Sequence, residues 1–344
     1  MTQAGGFRWQ CPSNIALIKY WGKHGNQLPA NPSLSITLDT AHTITTLAYK
    51  PGSGLRFLFE GKENPAFSSR IEKFLKSLSF EEMPFLKDFE LKLESENSFP
   101  HSSGIASSAS GMGALALCLV SMEEELGLLK GNFMQRASHI ARLGSGSACR
   151  SVYGNMALWG KTESIPGSSD QYAVVVNDNV NPAFSKIKDS ILIISKGKKP
   201  VSSTAGHALM DGHAYAESRF THAKDNLAKL LNVIQTDDWT RFGQIVEQEA
   251  LSLHAMMMSS ATPYLLMEPN TIAVIRAIWE KRAKENWPLY FTLDAGPNVH
   301  LLYPESIEKE VEVYINEELV VYCENNYWIS DKIGNGPLNL KYGY

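Results

Sequence analysis

The sequence predicts an α+β protein in which mixed sheets are covered by helices. Three observations lead there. The chain has 344 residues, a length that suits two packed domains. Segments of extended alternation and segments of helical rhythm are both present, and no repeat of fixed period runs through them. A soft boundary near Lys188 separates a first domain, 1–187, from a second, 188–344, in which long helices come first and a pair of strands follows.

Taken in order, residues 11–49 read as extended segments and turns. SLSITLDTAHTITTLAY (33–49) has the β-branched alternation of strands, and Asn14, Pro29, Asn31 and Pro32 punctuate the stretch. FSSRIEKFLKSLSF (67–80) places Phe67, Ile71, Phe74, Leu75 and Leu78 on one face, the mark of a covering helix. FELKLESENSFP (89–100) is a strand, HSSGIASSASG (101–111) a loop of small residues, and MGALALCLVSMEEEL (112–126) an apolar helix. A further helix is expected to include QRASHIARLGSGSACRSVYG (135–154), after which MALWGK, YAVVVND and DSILIIS resume as strands. Beyond the boundary, 206–235, 239–258 and 271–286 read as helices, and PLYFTLDAG with NVHLLY as a strand pair. The tail after Tyr303 carries no usable motif.

Composition excludes several classes. With 44% hydrophobic and 20% charged residues, a chain of this length buries roughly 75% of the surface it exposes when unfolded, so disorder is not its main state. Thirty-two Lys and Arg stand against 36 Asp and Glu, a formal charge of −4. That balance offers no global field for nucleic acid or anionic lipid, so an anionic ligand has to be met by a local cluster of cations. Cys11, Cys118, Cys149 and Cys323 are scattered without metal-ligand spacing, and the N-terminal segment lacks the apolar core of a signal peptide, so a reducing cytoplasm is expected. The longest apolar runs, such as 114–120, are too short to span a bilayer.

Four short stretches could carry chemistry. The loop 99–111 is small and polar and enters a helix, so backbone N–H groups and the positive end of the helix dipole would face an anion; a plain Ser-rich N-cap fits the same residues. It is neither a Walker loop nor a Rossmann turn. GSGSACR (144–150) spends two glycines in a helical context, which points to close approach by a ligand or another backbone and leaves Arg150 to meet a carboxylate; tight helix packing with a solvated Arg is the alternative. NIALIKYWGK (14–23) sets Lys19 in an apolar strand, costly unless its ammonium reaches an anion or water. Asp294, at the end of a strand entering a Gly-Pro-Asn turn, either organises that turn or serves as a base beside a cation. The run Lys196, Lys198, Lys199 before VSSTAG is a further phosphate candidate or a solvated loop.

Taken together and in this order, NIALIKYWGK, NSFPHSSGIASSASG, GSGSACRS, VSSTAGH and LDAGPN resemble the diphosphomevalonate decarboxylases of the GHMP kinase superfamily, over about residues 11–303. The resemblance implies a GHMP-kinase-like two-domain α/β sandwich with its active site in the cleft between the halves. It implies conversion of mevalonate 5-diphosphate and ATP to isopentenyl diphosphate, ADP, phosphate and carbon dioxide, with Mg²⁺ accompanying the nucleotide and no protein residue assigned to the metal. By the same resemblance, Gly104, Ser107 and Ser108 belong to the ATP phosphate loop. Asp294 is the catalytic aspartate, Lys19 its paired lysine, Arg150 the holder of the substrate carboxylate and Asn14 a further active-site polar group. Ser145 and Ser147 contact substrate, Tyr20, Lys23 and Ser203 lie near its diphosphate, and Arg70 is another basic contact. His101 and Ser102 depart from the smaller or less polar residues common in the family. A homodimer is implied by the family alone. The competing readings are a kinase acting on the 3-hydroxyl of mevalonate, a decarboxylase of the monophosphate, and a catalytically silent sensor of nucleotide or isoprenoid precursors.

Overall fold

The computed structural model describes residues 4–99, 107–176, 180–197 and 201–342. The first sheet is built on β1 (Gly5–Ala16), with the small hairpin β2 (Lys23–His24) and β3 (Leu28–Pro29) beside it, and on β4 (Ser33–Pro51). β5 (Gly54–Phe59), β6 (Lys62–Glu63), β7 (Phe89–Asn97), β8 (Met156–Trp159) and β9 (Ala173–Val175) complete its early strands. β4 is long enough to pair antiparallel with β1, β7 and β8, and β5 joins β7 in parallel. The second sheet has the order β11-β12-β10-β13, all antiparallel, from β10 (Ile187–Leu192), β11 (Tyr290–Thr292), β12 (Val299–Pro304) and β13 (Trp328–Lys332). The last strand, β14 (Leu338–Leu340), returns to the first sheet and pairs with Arg8–Gln10 of β1.

Helices cover one face of the first sheet. α1 (Pro65–Glu81) starts where the Asn64 side chain accepts the Phe67 N–H at 3.2 Å and Pro65 supplies a preset φ. Its predicted apolar face packs inward through Phe74, Leu75 and Leu78. Leu78 is buried completely enough to contribute about 1.5–3 kcal/mol. α2 (Ser107–Glu125) is apolar on most sides because it is sandwiched between the sheet and its neighbouring helices, so it shows little amphipathic contrast.

The helix expected over 135–154 is instead two. α3 (Phe133–Gly144) stops at Ser145, whose extended backbone breaks the path, and α4 (Ala148–Ser151) restarts after Ser147. Gly and Ser are weak helix formers, so GSGS yields where packing demands a turn. Segment 206–235 divides likewise, into α5 (Ser203–Ala208) and α6 (Ala216–Val233). α7 (Trp239–Met258) and α8 (Pro269–Glu285) match their expected positions, and α9 (Glu308–Tyr314) lies in the tail that showed no motif.

The sheets are joined internally. Ile15, Ile36 and Met156 of the first share one apolar cluster with Ile187, Ile191 and Phe242 of the second half. The β1–β4 pairing steps from Pro12–His42 to Asn14–Thr37, leaving extra β4 residues. Asp331 of β13 caps that excursion, accepting N–H bonds from Asp39, Thr40 and Ala41, each at 2.8 Å. Among the described residues, no helix is long and apolar enough to cross a membrane.

Candidate active site

β1 ends at Ala16, so Lys19 lies beyond the strand rather than within it. The Leu34 carbonyl accepts both the Leu17 and Ile18 N–H groups, and the chain then leaves the ladder. What holds Lys19 there is a buried ion pair. Glu249 of α7 accepts the Lys19 N–H at 2.9 Å, and Arg219 of α6 bonds Glu249 at 2.7 Å while donating to the Lys19 carbonyl at 3.0 Å. Both charged side chains are almost wholly buried, so loss of either partner alone would cost about 3–5 kcal/mol.

So placed, the Lys19 ammonium donates to Asp294 Oδ1 at 2.9 Å. The lysine is 2% exposed and the aspartate 29%, so one oxygen-bearing group of the pair faces the cavity. Burial lowers the Lys19 pKa from its ordinary value; Asp294 opposes this, Arg150 adds to it and Glu249 opposes it again. Asp294 sits two residues past β11; its backbone carbonyl accepts the Gly296 N–H at 2.7 Å, while its carboxylate takes the cationic partner.

Arg150, on α4, is buried and held by neutral oxygens. Nε donates to Ser35 Oγ at 3.0 Å, Nη1 to Ser33 Oγ at 2.9 Å and Nη2 to Asn14 Oδ1 at 3.1 Å. These use three of the five guanidinium donors and leave one N–H on each terminal nitrogen. No described carboxylate neutralises it, so an incoming carboxylate would meet a desolvated charge. Asn14 stands behind the cleft wall, donating to Ser151 Oγ at 2.7 Å and the Ser147 carbonyl at 3.2 Å, and so orients Arg150.

These groups line a cleft of about 570 Å³. It brings together Lys19, Tyr20, Lys23, Arg70, Ser107, Ser108, Ser145, Ser147, Arg150, Ser203 and Asp294. Gly104, with His101 and Ser102, lies outside the described residues, as do Lys198 and Lys199. Ser107 and Ser108 belong to the first turn of α2 rather than to a loop, and Ser108 Oγ is 3.4 Å from Ser145 Oγ across the cleft. The glycines of GSGSACR make room for side chains rather than for a backbone. A Cβ on Gly144 would fall 2.7 Å from Met112 Sδ, and one on Gly146 2.8 Å from the Tyr20 hydroxyl and from Trp159.

The cleft mouth is cationic. Lys23 donates to Gln27 Oε1 at 2.6 Å, and burial together with Arg70 brings its pKa down to about 8. Burial raises the Tyr20 phenol, whose ring stacks 4.8 Å from His207 and lies under the Arg150 guanidinium. His207 accepts the Gly22 N–H on Nδ1 at 3.0 Å; burial and then Lys23 push its pKa well below the ordinary histidine range, so it stays neutral. Glu249, Arg219, His254 and His207 escaped the sequence reading. A Glu and a His five apart in a helix carry no signal until the partners they touch are known.

A pair of ionised groups beside an unpaired guanidinium is suited to orienting a hydroxyl and a carboxylate of one ligand. Comparison with known proteins supplies the family. Residues 11–173 match the family model of the diphosphomevalonate decarboxylase-like N-terminal domain, and 190–337 that of the mevalonate 5-diphosphate decarboxylase C-terminal domain. The diphosphomevalonate decarboxylase of Gibberella zeae is 32% identical over 316 residues, covering 86% of this chain and 80% of the relative. The chain belongs to the diphosphomevalonate decarboxylase family.

The fold is that of the family too. The mevalonate diphosphate decarboxylase of Staphylococcus aureus superposes with a TM-score of 0.85 at 29% identity, covering 98% of this chain and 99% of that one. A structure described as MDDEF in complex with MVAPP, AMPPCP and magnesium does so with 0.84 at 30%, covering 99% and 100%. The expected GHMP-kinase-like α/β architecture is thus the one observed.

Proposed function

We propose that this chain catalyses the ATP-dependent decarboxylation of mevalonate 5-diphosphate to isopentenyl diphosphate, ADP, phosphate and carbon dioxide. Family membership sets the reaction class. The observation that carries the assignment of residues is the Lys19–Asp294 pair facing Arg150 in one cleft. In this reading Asp294 accepts the hydrogen bond of the substrate's tertiary hydroxyl, and Lys19 supplies the counter-charge. Arg150 binds the substrate carboxylate through its remaining N–H groups, while Asn14, Ser33 and Ser35 keep the guanidinium plane in position. Because that contact is already made in the ground state, Arg150 chiefly orients. Transfer of the γ-phosphoryl group of ATP to the tertiary hydroxyl, with ADP as leaving group, makes it a phosphate ester. As phosphate departs, positive charge develops on carbon and the fixed Asp294 anion favours that state, and loss of the carboxylate as carbon dioxide supplies the electron pair of the new double bond.

Lys23, Arg70, Tyr20 and Ser203 surround the diphosphate, with Ser145 and Ser147 on the α3–α4 break contacting the body of the substrate. The nucleotide phosphates lie at the α2 N-terminus against Ser107 and Ser108, with Gly104 assigned to them on the family likeness alone. An apolar pocket of about 110 Å³ shares Arg70, Ser107 and Ser108 with the cleft and is lined by Phe57, Phe59 and Phe67, which suits the adenine. The Ser107 and Ser108 hydroxyls and the nucleotide's own oxygens would be the hard donors for Mg²⁺. When bound, the ion neutralises charge on the transferred phosphoryl group.

The two sheets support a division near Lys188, with β14 rejoining the first half. Four free, buried cysteines support a reducing, cytoplasmic setting. A homodimer is proposed on the family likeness alone and is tested by sedimentation. The deciding assay offers mevalonate, its 5-phosphate and its 5-diphosphate with ATP and follows ADP and carbon dioxide together. Equal release of both from the diphosphate is expected; ADP without carbon dioxide would make the protein a kinase instead.

A further inference from the structure

Helix α7 touches both members of the Lys19–Asp294 pair, and does so through their backbones. Glu249 accepts the Lys19 N–H at 2.9 Å. Five residues on, His254 Nε2 lies 3.0 Å from the Asp294 carbonyl oxygen, a geometry in which the ring nitrogen carries the proton and donates. The helix is also registered against β11, the strand that leads to Asp294. A Cβ on Gly243 would overlap the Tyr290 ring, so the two elements meet at a distance only glycine permits. Glu247, itself bound by Arg282, lies 3.4 Å from the Phe291 N–H.

Glu249 has no capacity to spare. A carboxylate offers about four acceptor sites, and Glu249 takes bonds from the Lys19 N–H, both terminal nitrogens of Arg219 and Asn226 Nδ2. An amide in its place has one oxygen and cannot receive this set. Neither Glu249 nor His254 nor Arg219 lines the cleft. Lys19 follows a strand of the first sheet and Asp294 one of the second, so the separation of the reacting pair is a distance between two sheets. A single ion pair with a partly exposed partner does not by itself set that distance; one rigid helix bonded to both backbones, through a buried bond at Lys19 and a part-buried one at Asp294, does.

We infer that α7 sets the geometry of the reacting pair, with Glu249 and His254 as positioning residues that hold Lys19 and Asp294 in register across the two sheets. The inference rests on the proposed decarboxylation. His254→Leu removes the donor to Asp294, and His254→Gln restores an N–H at a similar reach. The expected result is a fall in kcat of about 10²-fold in His254→Leu, with KM for both substrates within about twofold, and recovery of most of the loss in His254→Gln. Glu249→Gln combined with Arg219→Met removes the clamp without leaving a buried charge alone, and is expected to show the same split between kcat and KM. Thermal unfolding and circular dichroism establish that each variant is folded. A folded His254→Leu or double variant with the kcat of the parent overturns the inference, as does a folded His254→Gln no better than His254→Leu. A parent enzyme that releases no carbon dioxide from mevalonate 5-diphosphate overturns the function itself, whatever the variants do.

Discussion

Lys19 and Lys23 stand four residues apart, yet the floor and the mouth of the cleft treat them oppositely. Lys19 is almost wholly buried but has Asp294 at 2.9 Å and a backbone clamped by Glu249 and Arg219. Lys23 is less buried and donates to the neutral Gln27, with Arg70 near enough to lower its pKa further. The floor therefore carries its counter-charge within the fold, while the mouth has cations whose mutual repulsion only an anion relieves. Between them stands Tyr20, stacked on His207 and lying under Arg150. In the proposed reading, a lysine is set for chemistry or for capture by its neighbours, with the residue type unchanged.

The comparison can be broken most sharply at the floor. Asp294→Asn is expected to lower kcat by more than about 10³-fold while calorimetry still detects both substrates, because it removes charge and leaves shape. Near-normal turnover would remove the floor from the chemistry. Next in size is Arg150→Lys, which cannot keep the Ser33, Ser35 and Asn14 contacts and still present a fork; kcat/KM should drop about 10²-fold.

Effects at the mouth should be smaller and should depend on pH. A lysine is charged below its pKa, so raising pH through about 8 discharges Lys23 in the free enzyme and weakens diphosphate binding. KM should rise above that pH with little change in kcat. Lys23→Gln should raise KM about tenfold, roughly 1.4 kcal/mol, and flatten this limb of the profile. A profile that persists in the variant would assign it to another group. A change in stability rather than in binding comes from Gly146→Ala, whose new methyl meets Tyr20 and Trp159. It should cost about 1–3 kcal/mol in denaturant unfolding and perturb floor and mouth together.

Much of this was legible in the chain, and the exceptions have physical reasons. The apolar rhythm of 67–80 and 239–258 announced α1 and α7 because local periodicity reports a buried face. The small-residue motifs located most of the cleft because ligand-facing turns need unusual residues in short compass. Lys19 was expected within a strand, whereas β1 ends before it; the force responsible is a partner some 230 residues away in sequence, Glu249. The helix break at Ser145 was hidden for a similar reason. GSGS permits either a helix or a turn, and the need to seat Arg150 beside Ser33 and Ser35 selects the turn. The Arg219–Glu249 clamp and His254 were invisible because long-range pairing leaves no mark on spacing.

The return of β14 to β1 has a consequence for how the molecule is made. During synthesis, the backbone amides and carbonyls of residues 8–10 on that side stay without strand partners until residues 338–340 emerge. The nascent first sheet thus carries an open seam while the residues between these two strands are made, a site for stray pairing and for chaperones to cover. Closure of that seam waits for a pairing between strands far apart in sequence, a contact of the slow, non-local kind.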